Sequence, residues 1–182
     1  MGRLRIQSEI PVNRTFYQAT ITTRLPPIGE TVVFGGFRAS REEFRLITER
    51  MLEIEGVMRL GSGVVRQSFP QGRDRLLVPW PSLEVDAPLF GGMSGGPVFD
   101  SRGGLIGLGS RSMEMGIGEE PSPMIVALLW PILGHSFPLA SEPARSATLL
   151  DLHAVLTIIE RPDAVHVTPS ASGLMTTYTA WS

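Results

Sequence analysis

Apolar residues recur at short intervals along this chain, and glycine or proline interrupts them every few positions. Leu4 and Ile6, Ile10 and Val12, then Phe16, Thr20 and Ile21 alternate loosely with polar residues, which predicts strands within residues 1–24. Arg24-Leu25-Pro26-Pro27-Ile28-Gly29-Glu30 is a proline-fixed connection, and Thr31-Val32-Val33-Phe34-Gly35-Gly36-Phe37 predicts a strand ending in a glycine pair. Ser40-Arg41-Glu42-Glu43 has the form of a capping box, with Phe44, Ile47 and Met51 at helical spacing behind it. These signals predict a helix over Ser40 to Leu52, with polar loop and strand as the alternative. Leu52, Ile54 and Val57-Met58 predict a strand that Gly61-Ser62-Gly63 breaks and Val64-Val65 resumes. Gln71-Gly72-Arg73-Asp74 predicts a turn and Leu76-Leu77-Val78 a strand closed by Pro79-Trp80-Pro81.

Further on, Leu83, Val85 and Ala87 alternate with Glu84 and Asp86, the period of a half-buried strand. Val98-Phe99 and Leu105-Ile106-Gly107-Leu108-Gly109-Ser110 flank Asp100-Ser101-Arg102-Gly103-Gly104 and predict a hairpin. Met113 to Glu120 reads as a loop rich in methionine and glycine. Met124 to Trp130 is apolar throughout, short for a helix and stopped by Pro131, so a buried strand is predicted. Ser146 can cap a helix over residues 147–159 with an apolar stripe of Leu149, Leu152, Leu156 and Ile159. Val165-His166-Val167 predicts a last edge strand, and Pro169 to Ser182, rich in serine and threonine, a loose tail.

Composition narrows the function classes. The chain has 182 residues, 42% hydrophobic and 19% charged, with 20 glycines and 15 prolines, which favours a turn-rich β protein over a helical bundle. Net charge is -2 with no long basic run, so neither nucleic acid nor an anionic membrane is expected as a partner. There is no cysteine, which removes disulfides, thiolate metal sites and cysteine nucleophiles. No cluster of His, Asp and Glu has metal-ligand spacing, and no cofactor is expected. The basic start Met1 to Arg5 is followed by no apolar core of a signal peptide, so the sequence as written reads as cytoplasmic.

The chemistry concentrates in Phe90-Gly91-Gly92-Met93-Ser94-Gly95-Gly96-Pro97-Val98-Phe99-Asp100. Glycines on both sides of Ser94 permit backbone dihedrals closed to other residues and leave the serine open to a substrate. Two neighbouring backbone N–H groups there can point at one spot, as an oxyanion hole requires. Gly92-Met93-Ser94-Gly95-Gly96-Pro97-Val98, continued by Leu105 to Ser110, resembles the nucleophile segment of trypsin/chymotrypsin-like serine peptidases, in particular the bacterial, disulfide-free branch. The resemblance implies that Ser94 is the nucleophile, that the N–H groups of Gly92 and Ser94 bind the oxyanion, and that Ser110, Arg111 and Ser112 line the primary specificity pocket. Arg111 either stands at that pocket's rim and favours an acidic side chain or snorkels into solvent. Met93 stands where digestive relatives carry an aspartate that pairs with a new N-terminus, so that activation switch is expected to be absent.

The same residues fit the G-x-S-x-G elbow of α/β-hydrolases, but that elbow needs a helix directly after the serine, and Gly95-Gly96-Pro97 oppose one. In the trypsin-like family the catalytic histidine and aspartate precede the serine. Here His135, His153 and His166 all follow Ser94, and no aspartate precedes Asp74. Tyr17 takes the place of the family's aspartate, and Glu9 and Glu30 do not fit its pattern. An order Ser94, Asp151 or Asp163, then His166 would suit an α/β-hydrolase, but no alternating strand–helix pattern supports that fold.

With only 93 residues before Ser94, the resemblance covers roughly residues 25–130, the second half of a peptidase. The expected fold is therefore mainly β, an antiparallel barrel like the second barrel of the trypsin-like fold plus a remnant of the first, with one or two short helices. Residues 1–140 are expected to form the barrel region and residues 141–182 a C-terminal helix, an edge strand and a loose tail. The expected function is that of a serine endopeptidase acting through a Ser94 acyl-enzyme, truncated or inactive because the upstream histidine and aspartate are missing. The alternatives are a non-catalytic pseudo-peptidase that binds protein or peptide, and a serine hydrolase of another fold. The expected partners are a polypeptide substrate or peptide ligand and, across an apolar flank, a missing N-terminal barrel or a second copy of the chain.

Overall fold

Thr20–Thr22 form a short strand, β1. After the proline connection, β2 (Thr31–Thr48) and β3 (Met51–Phe69) pair antiparallel from Thr31 opposite Val64 out to Thr48 opposite Met51. The computed structural model describes residues 18–48, 51–112, 123–139, 144–154, 157–170 and 173–181. The strands predicted from Leu4 to Phe16 and the Met113–Glu120 loop lie outside these residues. The hairpin is followed by β4 (Ser82–Asp86), β5 (Pro97–Phe99), β6 (Leu105–Ser112) and β7 (Met124–Leu128). Strands β6, β5, β2, β3, β4 and β7 are antiparallel neighbours in that order, and β7 pairs back onto β6. A six-stranded antiparallel barrel therefore closes, the fold class that the sequence predicts.

Alternation puts the core inside it. Val32 and Phe34 are buried while Val33 between them is exposed, and Leu83 and Val85 repeat the period on β4. With Val65, Val98, Ile106 and Val126 they form one apolar cluster. The glycines of β3 do not break the strand. A Cβ on Gly61 would lie 2.5 Å from the Phe34 ring, and one on Gly63 would lie 2.7 Å from Val85 and Ala87. Side chains from neighbouring strands fill the space that these glycines vacate, and the ladder runs through.

The C-terminal part builds a second, smaller cluster against the barrel. A one-turn helix, α1 (Trp130–Leu133), follows β7 directly. Two-residue strands β8 (Phe137–Pro138) and β9 (Ser146–Ala147) pair with each other. Next, β10 (Ile158–Glu160) lies parallel to β1, and a 3₁₀ turn at Pro162–Ala164 leads into the hairpin of β11 (Val165–Ser170) and β12 (Gly173–Tyr178). Leu133, Ile159 and Val165 are its buried centre, and Trp130 stacks on Tyr178 at 5.1 Å.

Four further local expectations are corrected. The helix over Ser40 to Leu52 is absent from the described residues, which extend β2 and β3 instead. A capping box stabilises a helix by about 1 kcal/mol, less than a continuous ladder of cross-strand pairs supplies. The helix over residues 147–159 is absent from the described residues, where turns lie between β9, which ends at Ala147, and β10, which begins at Ile158. The Thr148 N–H and hydroxyl donate to the Asp151 carboxylate at 2.8 Å, the Asp151 N–H donates back to the Thr148 hydroxyl, and Ala154 adopts a left-handed φ of 63°. Leu76-Leu77-Val78 is no strand, because the Asp74 carboxylate draws in the Leu76 and Leu77 N–H groups and bends the segment. The tail is not loose either. It forms β12, and the Trp181 indole N–H donates to the Thr23 hydroxyl at 2.8 Å.

One buried ionic group joins the start of the barrel to the β5–β6 turn. The Arg24 guanidinium donates to the Glu30 carboxylate at 2.8 Å and to Asp100 at 3.1 Å. The three side chains are all nearly buried. Asp100 in turn accepts from the Arg102 and Gly104 N–H groups, and Glu30 from the Ser101 N–H and hydroxyl. Bonding to Arg24, opposed by burial and aided by Ser101, holds the Glu30 carboxyl down at about 2.

A carboxyl whose pKa falls on folding stabilises the fold above its unfolded value, and the effect is lost as pH drops through the folded one. Denaturant titrations will therefore show stability declining between about pH 4.5 and pH 2, and Glu30→Gln will flatten that slope. Arg24→Met strands two buried carboxylates, and the unfolding free energy will fall by about 3–5 kcal/mol.

Candidate active site around Ser94

Two successive β-turns present Ser94. The Met93 N–H donates to the Phe90 carbonyl at 3.0 Å, and the Gly96 N–H donates to the Met93 carbonyl at 3.0 Å. The third residue of each turn is a glycine at positive φ, Gly92 at 90° and Gly95 at 85°, which is the type II requirement. Met93 joins the turns and points inward at 2% exposure as part of the barrel core. Ser94, the second residue of the second turn, is exposed.

Contacts to two strands clamp this loop. A Cβ on Gly96 would lie 1.9 Å from the Gly35 carbonyl oxygen, and one on Gly36 would lie 2.9 Å from Met93 Cα. The Gly35 carbonyl and the bare Cα of Gly36 thus form the seat for the loop, and the strand continues past them. On the other side the Gly95 N–H donates to the Gly109 carbonyl at 2.7 Å, and the Gly109 N–H donates to the Gly96 carbonyl at 2.9 Å. Among the described residues, the N–H groups of Gly92 and Ser94 and the Ser94 hydroxyl make no hydrogen bond.

The segment expected to set specificity lies next to this clamp. Gly109 opposes Val126 and Arg111 opposes Ile125, so Ser110 is the extra residue of a β-bulge, a feature that re-aims side chains. Ser110 and Ser112 are half-buried and Arg111 is exposed. The Ser112 hydroxyl donates to the Leu89 carbonyl at 3.4 Å, tying β6 to the segment that leads into the turns.

Two of the three histidines are engaged elsewhere. His153 accepts the Ile159 N–H at 3.1 Å through Nδ1 and so braces the turn before β10. The exposed His166 on β11 meets the Thr179 hydroxyl at 3.3 Å, and His135 is exposed after α1. The β1–β10 pair that carries this region joins β6 at Leu105. Leu105 lies four residues, about 13 Å of strand, from the Gly109 clamp. Asp151 is engaged by Thr148, and Asp163 by Arg161 at 3.1 Å. No alternative triad forms from these groups. Among the described residues no group of His, Asp or Glu can hold a metal ion.

Sequence reasoning missed the seat at Gly35-Gly36 and the cation Arg59, which lines a cavity of about 410 Å³ against Phe90 and Met93. The glycine pair was the available signal for the seat. No local pattern marks Arg59, because its place depends on barrel closure.

The family model of the trypsin-like peptidase domain matches residues 4–108, more than half of the chain. The match takes in β1 to β5, the Ser94 turns and the first half of β6. No curated protein matches the chain.

Gly96→Ala will lose any reactivity of Ser94 and will lower stability by more than about 2 kcal/mol, because backbone rather than a movable side chain blocks the new methyl group. Thermal unfolding of this variant beside Gly95→Ala is the check. A Cβ on Gly95 meets no atom within 4 Å, so Gly95→Ala incurs only the backbone strain of its positive φ.

Proposed function

Because the chain belongs to the trypsin-like peptidase domain family, we propose that it is a serine endopeptidase domain in which Ser94 is the nucleophile and the Gly92 and Ser94 N–H groups form the oxyanion hole. The observation that carries this reading is the double turn, which exposes Ser94 and leaves those two N–H groups without an internal acceptor. The Ser94 oxygen attacks the scissile carbonyl carbon while its proton passes to a base. The resulting oxyanion lies against the two N–H groups. Expulsion of the amine leaves an acyl group on Ser94, and water releases it as a carboxylic acid. Ser110, Arg111 and Ser112 line the pocket for the side chain on the acyl side.

The base is the limiting element. A serine hydroxyl is a poor nucleophile until a base takes its proton; His153, His166, Asp151 and Asp163 are engaged elsewhere, and among the described residues no histidine bonds Ser94. The chain alone is therefore a slow peptidase, with no more than the roughly 10³–10⁴-fold advantage over water that an oxyanion hole and binding supply. The second reading, a pseudo-peptidase that binds peptide without cleaving it, rests on the same observation about the base.

An apolar flank supports self-association. Val33 and Phe37 on β2 and Met58, Leu60 and Val64 on β3 are exposed and alternate outward in register on one sheet face. A second copy of the chain, or a further barrel, covers this face.

A fluorophosphonate probe will label Ser94 slowly, and Ser94→Ala will abolish the labelling. Labelling as fast as that of an intact serine peptidase would contradict the assignment of a missing base, and equal labelling of Ser94→Ala would remove Ser94 from the mechanism. Light scattering at high concentration will show a mass above 19.8 kDa for the chain, and Leu60→Glu will reduce it. A strictly monomeric parent chain would contradict the flank's role.

A further inference from the structure

The inner row of β3 runs from the core to the barrel mouth as Val65, Gly63, Gly61 and Arg59. Val65 is buried, the two glycines carry no side chain, and Phe34 fills the space over Gly61. Arg59 is thus the first side chain of that row beyond the core. It is exposed, and among the described residues no carboxylate pairs with it. Between this end of β3 and the first Ser94 turn lies the cavity of about 410 Å³, floored by the buried Phe34 and Met93, with exposed Phe90 on one side and Arg59 and Ser62 on the other. Its volume is that of a ligand cleft, and polar and apolar atoms line it about equally. It flanks the Ser94 loop on the β2–β3 side, whereas Ser110 to Ser112 flank it on the β6 side.

We propose that this cavity is a peptide subsite selecting an apolar side chain next to a carboxylate, with Arg59 as the specificity-determining residue. The apolar group packs on the exposed ring of Phe90. The carboxylate, from a neighbouring Glu or Asp or from a chain terminus, stays at the wet rim on Arg59, where the guanidinium fork matches it. The subsite rests on the peptide-recognition part of the proposed function and not on acyl transfer.

The test uses the full chain carrying Ser94→Ala, so that cleavage plays no part, and fluorescence anisotropy with labelled hexapeptides. One peptide holds Leu-Glu internally, one Leu-Gln, one Ala-Glu, and one ends in Leu with a free rather than amidated C-terminus. The Leu-Glu peptide will bind about 1.5- to fivefold more tightly than Leu-Gln, the range of an exposed ion pair, and Ala-Glu more weakly than both. Arg59→Gln will erase the Glu preference and Arg59→Glu will reverse it, with thermal midpoints unchanged. A gain for the free over the amidated terminus identifies the terminal carboxylate as a source, and a gain confined to internal Glu identifies the side chain. Equal binding of Glu and Gln peptides, or a Glu preference that survives Arg59→Gln and disappears in Arg111→Gln, would overturn the subsite while leaving peptide binding intact. No binding of any peptide would overturn the recognition part of the proposed function together with it.

Discussion

The approach of backbone to backbone at Gly35, Gly36, Met93 and Gly96 is the constraint on which the rest of this structure depends. No side chain fits between the Ser94 loop and β2 at Gly96, where even a methyl group would fall on the Gly35 carbonyl oxygen. That contact fixes the height of the loop, and the exchange of hydrogen bonds with Gly109 fixes its tilt. Buried Met93 then ties the loop to the barrel core. Ser94 is displayed by a rigid support, and its position follows from packing elsewhere in the barrel.

The buried group of Arg24, Glu30 and Asp100 does comparable work at another point of the barrel. It joins the connection before β2 to the turn after β5, so the strand that leaves the Ser94 loop is anchored three residues later. Replacing such a group with apolar residues is often neutral for stability, whereas removing one partner is costly. Its consequence here is positional, since β5 is only three residues long and has little ladder of its own.

Much of the barrel was legible in the chain because period-2 alternation survives wherever one face of a strand is buried. Leu83, Val85 and Ala87 on β4 and the hairpin around Asp100 to Gly104 are examples. The Ser94 loop was legible for a different reason: its glycines are required by geometry, and geometry of that kind leaves residues at fixed spacing. Ser40 to Leu52 and residues 147–159 were misread because capping and stripe signals are local and small, and long-range pairing overrode them. The glycines of β3 read as breakers because their role, making room for Phe34, Val85 and Ala87, lies between strands far apart in sequence. Arg59 left no trace for the same reason. The Trp181 contact with Thr23 spans most of the chain, and the composition of the tail concealed it.

A structure of the chain bound to a peptidyl boronic acid tests the account most directly. The boron is expected on the Ser94 oxygen, with one boronate oxygen within hydrogen-bonding distance of both the Gly92 and Ser94 N–H groups and the turns unmoved. Boron bonded to any other residue, or a boronate oxygen that neither N–H group reaches, would contradict it.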